Sequence, residues 1–354
     1  MSLNQEQMNY HDKTNIDNMI RLREITASLP PFCREFFLGI KDTTSTRTRL
    51  AYAYDLRIFF DYLHEYNPAC KSIPVTDLKL EILDMLHPID ITEYLDYLSY
   101  YEKDNEQITN DERGKQRKLA SLRSFYNFFF RNEMIEKNPA SLVQMPKLHK
   151  KEIIRLDVDE VALLLDHVEK GEQMTKQQAA FHKKTKTRDL ALMTLLLGTG
   201  IRVSECVGLD IKNVDFKNNG ILIRRKGGYE AVVYFGDEVE AALKNYLIQR
   251  DKMIPESGHE AALFLSLQNR RITVRAVENL VKKYASAVTS LKKITPHKLR
   301  STYGTSLYRE TGDIYLVADV LGHKDVNTTK KHYAALEDGR RRMAANAVKL
   351  RENK

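Results

Sequence analysis

Only one stretch of this chain reads convincingly as β-structure, and that confines the rest to helices. It is GILIRRKGGYEAVVYF, residues 220–235. Two runs rich in β-branched residues flank Lys226-Gly227-Gly228, the signature of a hairpin turn. The expected fold class is therefore mainly α, with a small antiparallel sheet.

The helical segments are legible from their apolar spacing. In RLAYAYDLRIFFDYLHEY, Leu56, Phe59, Phe60 and Leu63 recur at i, i+3, i+4 and i+7 and make one stripe. FCREFFLGI predicts a short helix before it, and Leu119, Leu122, Tyr126 and Phe129 mark another after it. The segment 77–103 supplies one or two helices broken at Pro88, and DNEQITNDERGK reads as a polar turn. Asp157 and Glu160 form a capping-box pattern ahead of a further helix. A strongly apolar helix, Asp189 to Leu197, then stops at Gly198-Thr199-Gly200, and Arg202 opens the next short helix.

At 354 residues, two domains are the natural expectation. NPASLVQMPKLHKKEIIRL, with two prolines and no long apolar run, reads as the link between them. The division is an N-terminal arm (1–27), either a short helix or a frayed segment, a helical domain (28–146), a linker (147–153), a second domain (154–336) and a basic amphipathic tail (337–354). The net charge of +8 suits a polyanionic partner without requiring one. Cys33, Cys70 and Cys206 are scattered, with no C-x-x-C, which fits a reducing cytoplasm and argues against structural zinc. No apolar run suggests a membrane span, and the first residues lack the core of a signal peptide.

The chemistry concentrates in GTGIRVSECVGL, the hairpin, TPHKLRSTYGTSLY and VADVLGHKDVNTTKKHYA. They supply Arg202, Lys226, His297, Arg300, His323 and Tyr333. Attack on a phosphodiester builds charge on the non-bridging oxygens. Arginine answers it best, with a planar fork that is always charged. Arg202 and Arg300 are the candidates. The nucleophile needs an oxygen able to form an ester, which Tyr333 has. His297 and His323 can move protons or hold the phosphate. Lys226, at a hairpin tip, can protonate the leaving 5′ oxygen. Thr44, Thr46 and Arg47 stand at a helix start, where hydroxyls, a guanidinium and backbone N–H groups suit a phosphate; simple capping is the rival reading.

In this order, Arg, hairpin Lys, His-x-x-Arg, Leu-Gly-His, Tyr, the set resembles the tyrosine recombinase (phage integrase) family, closest to its Xer-like members, over about residues 28–340. The resemblance implies an N-terminal SAM-like core-binding bundle and a C-terminal catalytic domain of the DNA breaking-rejoining fold. It implies site-specific recombination through a 3′-phosphotyrosyl bond, with no cofactor, metal or ATP. The partner would be double-stranded DNA, gripped by a homo-tetramer whose C-terminal helix docks in a neighbour; a tail folded on its own domain is the alternative. Lys115, Lys118 and Arg123 would touch phosphates, a solvated basic face being the rival reading. Arg271 and Arg275 would border a helix laid in the major groove. Glu205 resembles the acidic residue that supports the first arginine.

Three departures stand out. Tyr333 lies ten residues after His323, one more than usual, and His332 takes the usual place. Arg225 precedes Lys226 where a glycine often sits, and Ser301 follows Arg300 where many relatives have His. Two other readings share part of the pattern: a type IB topoisomerase, and a DNA-binding regulator that does not cleave. Chromosome dimer resolution and mobile-element integration use the same residues; without an arm-binding domain the chain leans toward the first.

Overall fold

A computed structural model describes residues 9–103, 105–148, 154–171, 175–225, 227–323, 325–327 and 329. The chain divides into two compact units, Met1–Lys151 and Glu152–Lys354.

The first unit runs α1 (Tyr10–Ala27), α2 (Cys33–Gly39), α3 (Thr46–Tyr66), α4 (Ile82–Met85), α5 (Pro88–Tyr97), β1 (Tyr101–Lys103), β2 (Glu106–Ile108), α6 (Glu112–Arg131) and α7 (Pro139–Leu142). The stripe Leu56, Phe59, Phe60 and Leu63 is fully buried, as its spacing requires. It meets Phe32, Phe36, Phe125 and Phe129 in a cluster of edge-on rings; Phe36 and Phe125 centroids are 5.2 Å apart and Phe125 and Phe129 5.0 Å. Such pairs add about 0.5–1.5 kcal/mol each beyond the area they bury. Within this core, Asp55 accepts from Ser121 Oγ at 2.7 Å and from the Arg117 guanidinium, tying α3 to α6.

Three details add to the sequence expectation. Of the two readings of the N-terminal segment, helix or arm, residues 10–27 take the helix: α1 buries Leu22 and Ile25 in the common core and receives a hydrogen bond from Thr46 Oγ1 through Asn15 Oδ1 at 2.7 Å. Its apolar positions are few, so periodicity undersells it. Pro88 separates two helices, α4 and α5, as expected. It occupies the first turn of α5, where a missing N–H is harmless. The polar segment near 104 holds a second hairpin, Tyr101↔Ile108 to Lys103↔Glu106, with Asn105 at φ +62°. Asparagine tolerates that left-handed conformation, but strands of three residues carry no alternation to read.

The second unit contains α8 (Val158–Lys170), α9 (Lys176–Thr199), α10 (Val203–Val207), β3 (Val214–Asp215), β4 (Gly220–Arg224), β5 (Glu230–Tyr234), α11 (Asp237–Arg250), α12 (Val274–Val288), α13 (Pro296–Thr311) and α14 (Ile314–Leu321). The strands form one antiparallel sheet in the order β3-β4-β5. Its β4–β5 register, from Gly220↔Tyr234 to Arg224↔Glu230, is that of the expected hairpin.

α9 is the central helix, packed against α8, α11 and α13. It begins thirteen residues before Asp189, as one unbroken helix from its Thr175 N-cap. Lys, Gln and Ala are good helix formers, but a lysine-rich surface half gives no apolar stripe. His182 fixes that half to α8, its Nε2 lying 2.7 Å from Val168 O. Farther along, buried Asp189 takes Tyr284 Oη at 2.9 Å, Thr185 Oγ1 at 2.9 Å and Arg188 Nη2 at 2.6 Å. That network locks α12 onto α9. Burial and the Asp189 charge push the Tyr284 phenol well above its ordinary pKa. Among the described residues no helix is long and apolar enough to cross a membrane.

Candidate active site

Two turns and one helix of the second unit bring Arg202, Arg300 and His323 together. The first follows α9. Gly200 takes the left-handed conformation, φ +62°, and a Cβ there would meet Tyr303 Cδ1 at 2.4 Å. Conformation and space both demand glycine. The chain then passes to Arg202, the N-cap of α10. Glu205, 4% exposed, holds it with both oxygens. Oε2 accepts the Arg202 backbone N–H at 2.8 Å, and Oε1 accepts Nη1 at 2.8 Å. The guanidinium is thereby fixed while its side chain stays 36% exposed, available to a ligand.

α13 forms the second element. Pro296 begins it after the Thr295 N-cap, with His297 exposed on the first turn. Arg300 follows three residues later, on the same helix face, and is buried to 6% exposure.

The third is the end of α14. Gly322, at φ +62°, stops the helix, and its N–H returns to Asp319 O at 2.8 Å. The last carbonyls of a helix have no N–H of their own helix to accept, and the negative end of its dipole favours cations. Guanidiniums fill that role. Arg300 donates through Nη2 to Leu321 O, and through Nη1 to Gly200 O at 2.6 Å. Arg202 Nη2 reaches Gly322 O at 3.4 Å. Two arginines remote in sequence thus meet on neighbouring carbonyls of one turn. His323 follows directly, its Nδ1 2.7 Å from the hydroxyl of buried Thr329.

A third guanidinium joins them. Arg225 Nη2 donates to Val320 O at 2.9 Å, so three successive carbonyls, 320 to 322, each meet a different arginine. Sequence reasoning registered Arg225 only as a departure in the hairpin. Its signal was there, an extra positive charge beside the turn. Lys226 and Tyr333, like His332 and the tail 337–354, lie outside the described residues. Cys206, next to Glu205, is no rival nucleophile. It is fully buried, and burial, helped by the Glu205 charge, pushes its thiol up to about 12.

The residues expected to touch DNA fall into two groups. Arg47 is exposed on the first turn of α3, and the Arg275 side chain is 80% exposed, with Glu278 at 3.3 Å. Thr44 and Thr46 are half-buried beside Arg47, and Lys115 Nζ donates to Ser99 Oγ at 2.6 Å. The others are committed inside the fold. Lys118 is 5% exposed and donates to Asn110 Oδ1 at 2.7 Å; burial lowers its pKa. Arg123 Nε donates to Ala140 O at 3.0 Å and holds α7. Arg271 donates to Leu209 O at 2.7 Å and pairs with Asp210. Their charge suggested a surface, but each sits where a carbonyl or carboxylate of the fold needed a donor.

Comparison with known proteins gives the same picture. The phage integrase family matches residues 154–340, more than half of the chain. Tyrosine recombinase XerC of Caldanaerobacter subterraneus subsp. tengcongensis is 33% identical over 327 residues, 90% of this chain and 86% of its own. Tyrosine recombinase XerC of Chlorobaculum tepidum is 30% identical over 307 residues, 84% of this chain and 88% of its own. Among solved structures, the XerH site-specific recombinase bound to palindromic difH substrate aligns with a TM-score of 0.63 at 20% identity, over 86% of this chain and 80% of that one, a likeness of fold. The Tn1549 transposon integrase, in complex with circular intermediate DNA, aligns with a TM-score of 0.60 at 20% identity, over 86% of this chain and 95% of that one. The ordered motifs and these matches agree: the chain belongs to the phage integrase family and is a site-specific tyrosine recombinase.

Proposed function

We propose that the chain exchanges strands between two double-stranded DNA sites in an Xer-type reaction, with Tyr333 as nucleophile. The Tyr333 oxygen bonds to phosphorus and the P–O5′ bond breaks, leaving a 3′-phosphotyrosyl end. The phenol proton passes to a base at the site, for which His297 is suited, and Lys226 gives a proton to the leaving 5′ oxygen. A 5′-hydroxyl of the partner strand then reverses both bonds. The ester keeps the phosphodiester's energy, so nothing need be hydrolysed to reseal. Arg202 and Arg300 bind the non-bridging oxygens, where charge grows in the transition state, and His323 adds a donor beside them. The observation that carries this reading is the convergence of Arg202 and Arg300 on the carbonyls of Gly322 and Leu321, immediately before His323.

Four copies on paired sites in the cytoplasm complete the reading, as in the family this chain belongs to. The relatives named XerC favour resolution of chromosome dimers over movement of an element. The test is a covalent trap. Purified protein is incubated with EDTA on nicked suicide duplexes drawn from genomic DNA, then denatured. A protein–DNA adduct is the expected product, and sequencing the attached DNA names the site. Recovery of one chromosomal locus supports the Xer role; recovery of element ends replaces it. A wild-type chain that forms no adduct on any of this DNA ends the reading.

Binding to DNA should separate the two groups of basic residues. Removing a cation that neutralises one phosphate flattens the slope of log affinity against log salt by about 1. Arg47→Ala and Arg275→Ala are each expected to do so, measured by fluorescence anisotropy across a salt series. Lys118→Met should leave the slope unchanged, because its ammonium faces Asn110. The reverse pattern would overturn this division.

A further inference from the structure

The reading above uses two of the three guanidiniums at the end of α14. The third, Arg225, is held as firmly. Its backbone closes the hairpin turn, with its N–H on Tyr229 O at 2.6 Å and its carbonyl accepting Gly228 N–H at 3.2 Å. The glycines inside the turn sit at φ +97° and +83°. From that base the side chain reaches back across the site to Val320 O.

One hydrogen bond does not account for this group. Among the described residues, Nε and Nη1 of Arg225 are both buried with no hydrogen-bond partner. The guanidinium packs against Gly322 through its Nη1 end, where a Cβ would fall 1.1 Å from Nη1 and 2.3 Å from Cζ. Gly322 is therefore required twice, for its positive φ and for the room it leaves Arg225. A cation with two desolvated, unanswered nitrogens is a poor structural pin, since an apolar side chain would fill the space without that penalty. It is a good receptor for an anion. Glu205, the buried carboxylate of this corner, is already engaged by Arg202. Three guanidiniums around one turn thus leave the corner positive.

Resting on the recombinase reading, we propose that Arg225 is a third catalytic arginine, whose side chain turns from this packed position when DNA binds and donates Nε–H and Nη1–H to the scissile phosphate. It would replace, with a charge, the glycine common before the hairpin lysine. It would also tie the hairpin to the substrate: the same residue closes the turn preceding Tyr229 and meets the phosphate.

The test compares wild type, Arg225→Ala and Arg225→Lys on two DNAs, one natural and one with a neutral methylphosphonate at the scissile position. Single-turnover adduct formation is measured for each. Affinity is measured for the same variants in a Tyr333→Phe background, so that a DNA too slow to cleave still reports. On natural DNA, Arg225→Ala should lose ~30- to 100-fold in rate and on the order of tenfold in affinity, and Arg225→Lys should recover only part, lacking the fork. On methylphosphonate DNA the Arg225→Ala deficit should shrink to within about threefold, because there is no charge left to match. Equal deficits on both DNAs would make Arg225 a hairpin pin and overturn the proposal, as would no deficit on either. Wild type failing to attack natural DNA would instead remove the recombinase reading itself.

Discussion

A Tyr333→Phe enzyme is expected to bind its DNA and form no covalent adduct. The substitution deletes one oxygen and leaves the ring, so shape and charge at the site persist. What goes is the atom that must bond to phosphorus. Removing a nucleophile outright typically lowers turnover by ~10⁴-fold or more, which places the residual adduct below detection on a denaturing gel. No substitute stands ready among the thiols. Cys33, Cys70 and Cys206 are all buried, and burial raises the pKa of each, so none presents a thiolate. The control is His332→Ala. His332 occupies the place in the chain that the tyrosine usually takes, but an imidazole in that role would give a phosphoramidate rather than an ester. The His332→Ala enzyme should therefore still form the adduct. Adduct from Tyr333→Phe, with none from His332→Ala, would move the nucleophile one residue back.

What the sequence shows and hides follows from where each interaction lives. The stripe Leu56, Phe59, Phe60 and Leu63 is a local pattern, and it is buried as its spacing demands. Gly200 and Gly322 are legible because a left-handed residue after a helix is itself local chemistry. The order of the site residues was also legible, as a motif. Their mutual geometry was not, because it depends on which orphan carbonyls lie within reach once α9, α13 and α14 have packed. Arg225 illustrates this. Nothing within a few residues of it indicates that Val320 O will accept its Nη2. The same limit made surface groups of Lys118, Arg123 and Arg271 in the sequence. Charge is visible there, but a partner such as Asn110 or Leu209 O is not. α1 was understated for a different reason: its helix rests on α3 through few buried residues, so its pattern is weak although its packing is real.

Arg300→Ala should separate the two tasks that one buried guanidinium performs. It donates to Gly200 O and to Leu321 O, joining the end of α9 to the end of α14. Truncation orphans both carbonyls, at about 1–3 kcal/mol for each buried group. In a unit of this size a loss of that order lowers the melting temperature by on the order of 10 °C. The catalytic loss should be larger. A donor aimed at developing charge is worth ~10²- to 10³-fold, and Arg300 carries a full charge in a buried place where water screens little, so adduct formation should fall ~10³-fold. Instability cannot mimic this. Well below its own melting transition almost every molecule is folded, and the remaining deficit reports the transition state. Arg300→Lys makes the distinction sharper. Its ammonium can satisfy a carbonyl and keeps the charge, but it has no planar fork to span Gly200 O, Leu321 O and a phosphate together. Most of the thermal stability should return, while the cleavage rate recovers by less than about tenfold. If Arg300→Ala instead cleaves within tenfold of wild type at a temperature where it is folded, Arg300 only staples the two helix ends, and the charge on the phosphate must be met by Arg202 and Arg225.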